Sequence, residues 1–345
     1  MRVLVTGHRG FIGAVLTCVL EHARFDVVGL DCDLYEGSGF GRTREDVPNF
    51  DLDLRDVSFA DLLSFDAVVH LAALSNDAAG VLDPRLTDEI NHRATQHLAM
   101  CCKQAGVPRF VFASTCAVYG RRGANWLSES SPAAPQSDYA RSKLAGERGV
   151  ALLADETFCP VILRLATVYG VSPRLRLDTV VNDYVASATT CGRVTMKTFG
   201  SAWRPVMHVE DVARVCAAAL TAPTSVVHSQ VFNVARSDEN YRVIDIADAV
   251  AEFVPACTRS APADVFDECS YRVDGSKLQR TFPKLHLRWL LPMGIRQLHS
   301  AMVLNGLTPS DWRGDNYRRG PRLQRRLENG KLCGKLGRGA ETQFC

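Results

Sequence analysis

The chain has 345 residues, 46% hydrophobic and 23% charged, with 40 Lys+Arg against 38 Asp+Glu. That is enough chain for one large α/β unit and a smaller one around a substantial core. A net charge of +2 gives no bulk electrostatic case for nucleic acid or membrane as partner, and no apolar run approaches the roughly 18 to 20 residues of a membrane span.

Through the first half, short apolar runs alternate with amphipathic stretches of helical length, the pattern of βαβ units. Strands are expected at 2–6, 26–31, 67–71, 109–114 and 161–165, each rich in Val, Ile, Leu or Phe as strands covered on both faces are. Helices are expected at 11–21, 85–104 and 139–153. After Gly170 come a helix at 178–190, a short strand within 201–211 leading into a helix at 212–220, a strand at 231–234 and a helix at 243–253. The fold class is α/β, a doubly wound parallel sheet formed by 1–171 with 201–235 returning to it. Residues 172–200 and 236–300 make a smaller cap, and 301–345 a basic extension. Between Arg313 and Arg338 that extension has nine basic residues against two acidic ones. From Gly330 onward it carries four glycines and reads as a frayed tail.

The 12 cysteines include no CxxC pair, so no metal is expected. With a strand starting at Arg2 no signal peptide is read, and a cytoplasmic protein with reduced thiols is the expectation.

Gly7-His8-Arg9-Gly10-Phe11-Ile12-Gly13 follows the first strand directly and opens a helix. Gly7 permits the tight turn, Gly10 lets a pyrophosphate approach the backbone, and Gly13 lets helix pack close on strand. The helix N-terminus supplies N–H groups and positive dipole for phosphates. Asp31 ends the second strand, where a carboxylate accepts from the ribose hydroxyls of a dinucleotide and repels a 2′-phosphate. NAD is therefore the expected cofactor. Arg9 inside the turn dissents, being placed to meet a 2′-phosphate.

Tyr139 and Lys143 stand at i and i+4, on one face of a helix. A phenol of unperturbed pKa near 10 is a poor base at neutral pH, and a neighbouring ammonium favours its ionised form. Earlier, Phe112-Ala113-Ser114-Thr115-Cys116-Ala117-Val118-Tyr119-Gly120 brings hydroxyls to a C-terminal strand end, where open α/β sheets bind ligands.

The glycine turn, Asp31, Thr115, Tyr139 and Lys143 together resemble the extended short-chain dehydrogenase/reductase superfamily, the NAD-dependent epimerase/dehydratase group, over roughly residues 1–300. The resemblance implies a Rossmann-like sheet with a mostly C-terminal substrate-binding cap, a nucleotide-diphosphate sugar as substrate, and a homodimer. The dimer contact would run through helices 85–104 and 139–153, the first given spare apolar material by Leu98, Cys101 and Cys102. It further implies that Asp53 and Leu54 flank the adenine and that Leu71, Ala72 and Ala73 lie along the cofactor phosphates. Asn91 matches the asparagine of the following helix. Thr115 would bond the substrate hydroxyl, Tyr139 act as acid/base, and Lys143 hold the nicotinamide ribose, while hydride passes between a sugar carbon and the nicotinamide. Arg204, then Asn182 and Arg174, are the expected substrate residues, with Cys116 beside them. For Arg176 and Arg272 a solvated surface role stands level with substrate binding, and His208 reads as structural.

Departures narrow the activity. In 4,6-dehydratases the two residues after the catalytic threonine are Asp and Glu; here they are Cys116 and Ala117. Elimination of water lacks its usual acid/base pair, which leaves an NAD-dependent nucleotide-sugar epimerase acting through a transient 4-keto sugar. A ketosugar reductase or dehydrogenase and a dehydratase are the alternatives within the family, and a cofactor-binding regulator the alternative outside it. Thr167 also departs, standing where many relatives have Asn.

Overall fold

The computed structural model describes residues 1–41, 45–75, 83–262, 265, 270–332 and 336. Runs such as Val3-Leu4-Val5 are wholly buried, so they extend into strands whose side chains alternate between two apolar faces. Val3, Val5, Val69 and Val111 enter one core with Leu16 and Val212. Leu4, Val28, Val68 and Phe110 enter a second on the opposite face with Leu98.

Seven strands pair side by side in the order Gln230–Val234, Cys159–Leu165, Arg109–Thr115, Ala67–His70, Arg2–Thr6, Asp26–Leu30, Asn49–Phe50, every pair parallel. From Arg2–Thr6 the chain winds outward to one side, then crosses back to Ala67–His70 on the other. The reversal leaves a crevice beyond the C-terminal ends of these two strands, the place where such sheets bind ligands. Helices Gly13–His22 and Val209–Thr221 cover one face, and Ala94–Gln104 and Asp138–Ala151 the other.

A separate core gathers Tyr169, Leu175, Val181, Val185, Val206, Ile246, Leu298 and Met302. It joins helices Val180–Cys191, Val243–Phe253 and Leu291–Leu304 over the strand ends. The last helix runs across the boundary expected at 300. No helix among the described residues is long and apolar enough to cross a membrane.

Most expected elements form within a few residues of their expected bounds, and two differ in kind. The helix expected at 85–104 is broken by a π turn, Glu89–Arg93, between Pro84–Asp88 and Ala94–Gln104. Leu98, Cys101 and Cys102 are at most 5% exposed, so the chain's own core consumes the material that was read as a dimer face. The expected frayed tail holds Leu332 and Leu336, both buried against Leu74, Leu86 and Leu323; 333–335 and 337–345 lie outside the described residues.

Candidate active site

The crevice holds a cavity of about 290 Å³ whose walls come from six strand ends, from helix Asp138–Ala151 and from two later segments of the chain. Its floor is the glycine turn. Gly7 sits at φ +73°, where a Cβ would stand 2.7 Å from the Ala72 nitrogen, and a Cβ on Gly13 would overlap the Gly7 carbonyl oxygen. The turn is closed by Gly10 N donating to Gly7 O at 2.9 Å. Gly7, Arg9, Gly10, Phe11, Ile12 and Gly13 all line the cavity.

Asp31 lines it too, its carboxylate fixed by N–H bonds from Arg9 at 3.0 Å and Asp33 at 2.8 Å. Burial pushes this carboxyl up, against the pull of those two bonds. The Arg9 side chain is engaged elsewhere, its Nε donating to Asp46 at 2.7 Å and Nη2 to Asn49 at 3.2 Å. Asp53 and Leu54 flank Asp31, with Asp53 held below the usual carboxylate range by Arg55 despite its burial. Leu71, Ala72 and Ala73 continue the wall.

Asn91 does not reach the cavity lining. It is fully buried in the π turn, where it accepts from Leu74 N at 2.8 Å and donates to Leu74 O at 3.0 Å and Ser142 Oγ at 3.3 Å. It thereby ties the strand-end loop to the helix that carries Tyr139. A π turn at such a place is common beside functional sites.

Thr115, Tyr139 and Lys143 meet at the other end of the same cavity. Thr115 closes its strand, its Oγ1 accepting from Ala117 N at 3.1 Å. Helix Asp138–Ala151 starts at the Ser137 cap, so Tyr139 falls in its first turn and Lys143 one turn on. Lys143 is 2% exposed with Nζ 4.4 Å from the Phe112 ring centre. Burial pulls its pKa from 10.5 to about 7, and Glu147 opposes the fall.

Glu147 was not foreseen from the sequence. It is 4% exposed and pairs with Arg164 at 2.7 Å, while Ser114 Oγ donates to it. Arg164 also donates to the Tyr119 hydroxyl at 3.1 Å, which donates to Asn233 at 2.6 Å. This buried network lies directly behind Thr115 and Lys143. Its signal was present at i+4 from Lys143, where a carboxylate shares the helix face.

The expected substrate residues fare differently. Cys116 is wholly buried, its thiol on the Arg164 carbonyl at 3.2 Å, and burial pushes it far above the range of a usable base; it is outside the cavity lining. Asn182 spends both side-chain atoms on Gly170 N at 2.9 Å and Arg176 O at 2.9 Å, fixing a loop. Arg174 pairs with Asp33 at 2.9 Å, and Arg204 donates to the Trp203 carbonyl at 3.1 Å. Neither arginine lines the cavity. Arg272 is sandwiched between Trp126 and Trp203. His208 caps the following helix and stacks on Trp289 at 4.0 Å, a structural role.

Arg176 does line the cavity, with its side chain only 14% exposed and paired to Asp178 at 2.8 Å; the surface reading is corrected. Tyr35, Thr179, Arg319 and Leu336 join it on that wall. The last two belong to the basic extension. The repeat of Leu323 and Leu327 at i and i+4 among arginines was the signal of an amphipathic helix there.

The profile of the NAD dependent epimerase/dehydratase family matches residues 3–235. An uncharacterized UDP-glucose epimerase, YtcB, of Bacillus subtilis (strain 168) is 30% identical over 239 residues, 65% of this chain and 73% of that one. The structure of TunA, an NAD dependent NDP-hexosamine 5,6-dehydratase of tunicamycin biosynthesis, superposes with a TM-score of 0.77 at 25% identity, over 88% of this chain and 98% of its own. MoeE5 in complex with UDP-glucuronic acid and NAD gives 0.75 at 27% identity, over 88% and 99%.

Proposed function

The chain belongs to the NAD dependent epimerase/dehydratase family, and from that premise we propose that it is a nucleotide-sugar epimerase inverting C4 through a transient 4-keto sugar. Its cofactor is NAD, and the residues fit that group: a turn that a single Cβ would fill, Asp31 at the second strand end, and Lys143 on helix Asp138–Ala151 facing the same cavity as the fifth. When bound, NAD supplies a hydride acceptor and donor. Tyr139 takes the proton of the sugar hydroxyl and returns it, Thr115 orients that hydroxyl, and Lys143 stabilises the phenolate. Arg9 already has Asp46 as its partner, which weakens the case for a 2′-phosphate.

The observation that carries the C4 reading is the character of the wall beside Thr115 and Tyr139. Among the described residues the carboxylates lining the cavity are Asp31, Asp33 and Asp53. All follow strands on the far side of the switch point, and Asp26–Leu30 lies three strand spacings from Arg109–Thr115, roughly 14 Å. Cys116 and Ala117 leave the sugar's C5–C6 bond without an acid or base, so hydride exchange at a single carbon is the chemistry this end supports.

The test is to incubate the holoenzyme with UDP-, dTDP- and GDP-hexoses and follow products by NMR. Inversion at C4 with NAD unchanged in total is expected; a dehydrated or net-reduced sugar would assign the alternative activity. A homodimer remains part of the proposal, with Met100 exposed on one of the two helices concerned and Leu152 exposed just past the end of the other. Light scattering at micromolar concentration measures it, and a monomer counts against it.

A further inference from the structure

Helix Arg319–Glu328 comes three hundred residues after the glycine turn, yet its first residue lines the same cavity. The segment is anchored by Leu323, Leu332 and Leu336 on Leu74 and Leu86, which fixes where Arg319 must point. Arg319 is 2% exposed, its guanidinium 4.3 Å from the centre of the Tyr35 ring. Its side-chain nitrogens donate to neutral oxygens, Ser38 Oγ at 3.5 Å and Arg174 O at 3.1 Å.

The neighbouring charges do not balance it. Arg174 is paired with Asp33 and Arg176 with Asp178, which also accepts from the Arg319 backbone N–H at 3.2 Å, so three guanidiniums share two carboxylates and one positive charge is in excess on the cavity wall. A buried charge in excess of its counter-charges is costly. On the same wall, the Tyr35 hydroxyl and Thr179 Oγ1 are buried without a hydrogen-bond partner. Thr179 stands at the N-terminus of the 12-residue helix Val180–Cys191 and does not cap it with its side chain. A surplus guanidinium, two unused hydroxyls and a helix N-terminus converging on one space match the oxygens of a phosphate.

We infer that Arg319, with Tyr35 and Thr179, forms a phosphate-binding wall for a nucleoside diphosphate, contributed by the C-terminal segment and distinct from the glycine turn. Both the dinucleotide and a nucleotide sugar carry that group. The bound phosphate neutralises the surplus charge, so ligand binding and packing of the C-terminal segment stabilise one another. The inference rests on nucleotide binding in this family and not on the C4 assignment.

The test uses the full chain stripped of nucleotide, with calorimetric titration of NAD and, separately, of UDP, dTDP and GDP. Arg319→Met keeps the buried stem and removes the charge. At least tenfold weaker binding of NAD assigns the wall to the cofactor, and of a nucleoside diphosphate to the sugar nucleotide. Unchanged affinity for NAD and for every diphosphate that the wild type binds overturns the inference. Should Arg319→Met fail to fold, hydrogen exchange on the wild type decides. Residues 319–328 should gain protection with NAD or a nucleoside diphosphate and none with saturating adenosine or uridine. Equal protection by the nucleosides would show that phosphate is not what the wall reads.

Discussion

The two walls of the cavity are built by different means. One is made of strand ends and a helix start, where the backbone itself carries the geometry: Gly7 and Gly13 exclude side chains, Thr115 closes a strand, and Tyr139 and Lys143 ride one helix turn apart. The other is made mostly of long side chains from distant segments, Tyr35, Arg176 and Arg319, held in place by an ion pair and by a small leucine cluster. Backbone geometry is shared by every chain that folds this way, whereas long side chains can be exchanged one at a time. In the proposed function the chemistry sits on the first wall, and in the inference above recognition of what is bound is divided with the second.

If that division holds, the largest effect comes from the first wall. Tyr139→Phe keeps the ring and removes the acid/base, so turnover should fall by a factor on the order of 10² to 10⁴. Its NAD affinity and melting temperature should stay near wild type, and near-normal turnover would remove Tyr139 from the mechanism.

The supports behind the walls should also differ. Glu147→Ala strands the buried Arg164 and should cost about 3 to 5 kcal/mol of global stability by denaturant unfolding. Replacing both residues by Met should recover most of that loss. Leu323→Ala also empties a buried site, at a cost of about 2 kcal/mol, the lower end for such a change. Its effect should be confined to faster hydrogen exchange over 319–328; global destabilisation equal to that of Glu147→Ala would erase the distinction between the walls.

The smallest effect concerns the cofactor. Asp31, held by two backbone bonds, should favour NAD over NADP at least tenfold by calorimetry, about 1.4 kcal/mol. Equal affinity would mean that Arg9 leaves Asp46 to bind the 2′-phosphate.

The first wall was legible in the sequence because each of its parts is contiguous: a strand, a glycine turn and a helix start, or a phenol and an amine four residues apart. The sheet and its winding followed from the same local patterns. Arg174, Asn182 and Arg204 were expected as substrate residues from the resemblance of their segments to the family, and the arginines also from the fit of a guanidinium to a diphosphate. Which partner an arginine takes is decided by tertiary placement, and Asp33 lies 141 residues from Arg174. Asn182 is buried with both side-chain atoms bonded, which nothing in its neighbours reveals. Arg319 escaped for a related reason. Its environment is made by Tyr35 and Ser38, nearly three hundred residues earlier, and the arginines around it suggest solvent.

The proposed reaction is hydride exchange at one carbon with no proton lost from a neighbouring one. The most direct measurement is to run the holoenzyme with its nucleotide sugar in D₂O and examine the product by NMR and mass spectrometry. Return of the same hydride predicts a C4-inverted sugar with no carbon-bound deuterium. Deuterium at C3 or C5 would mean that a proton was abstracted beside the ketone, and would contradict the C4 account while leaving the fold and the cofactor in place.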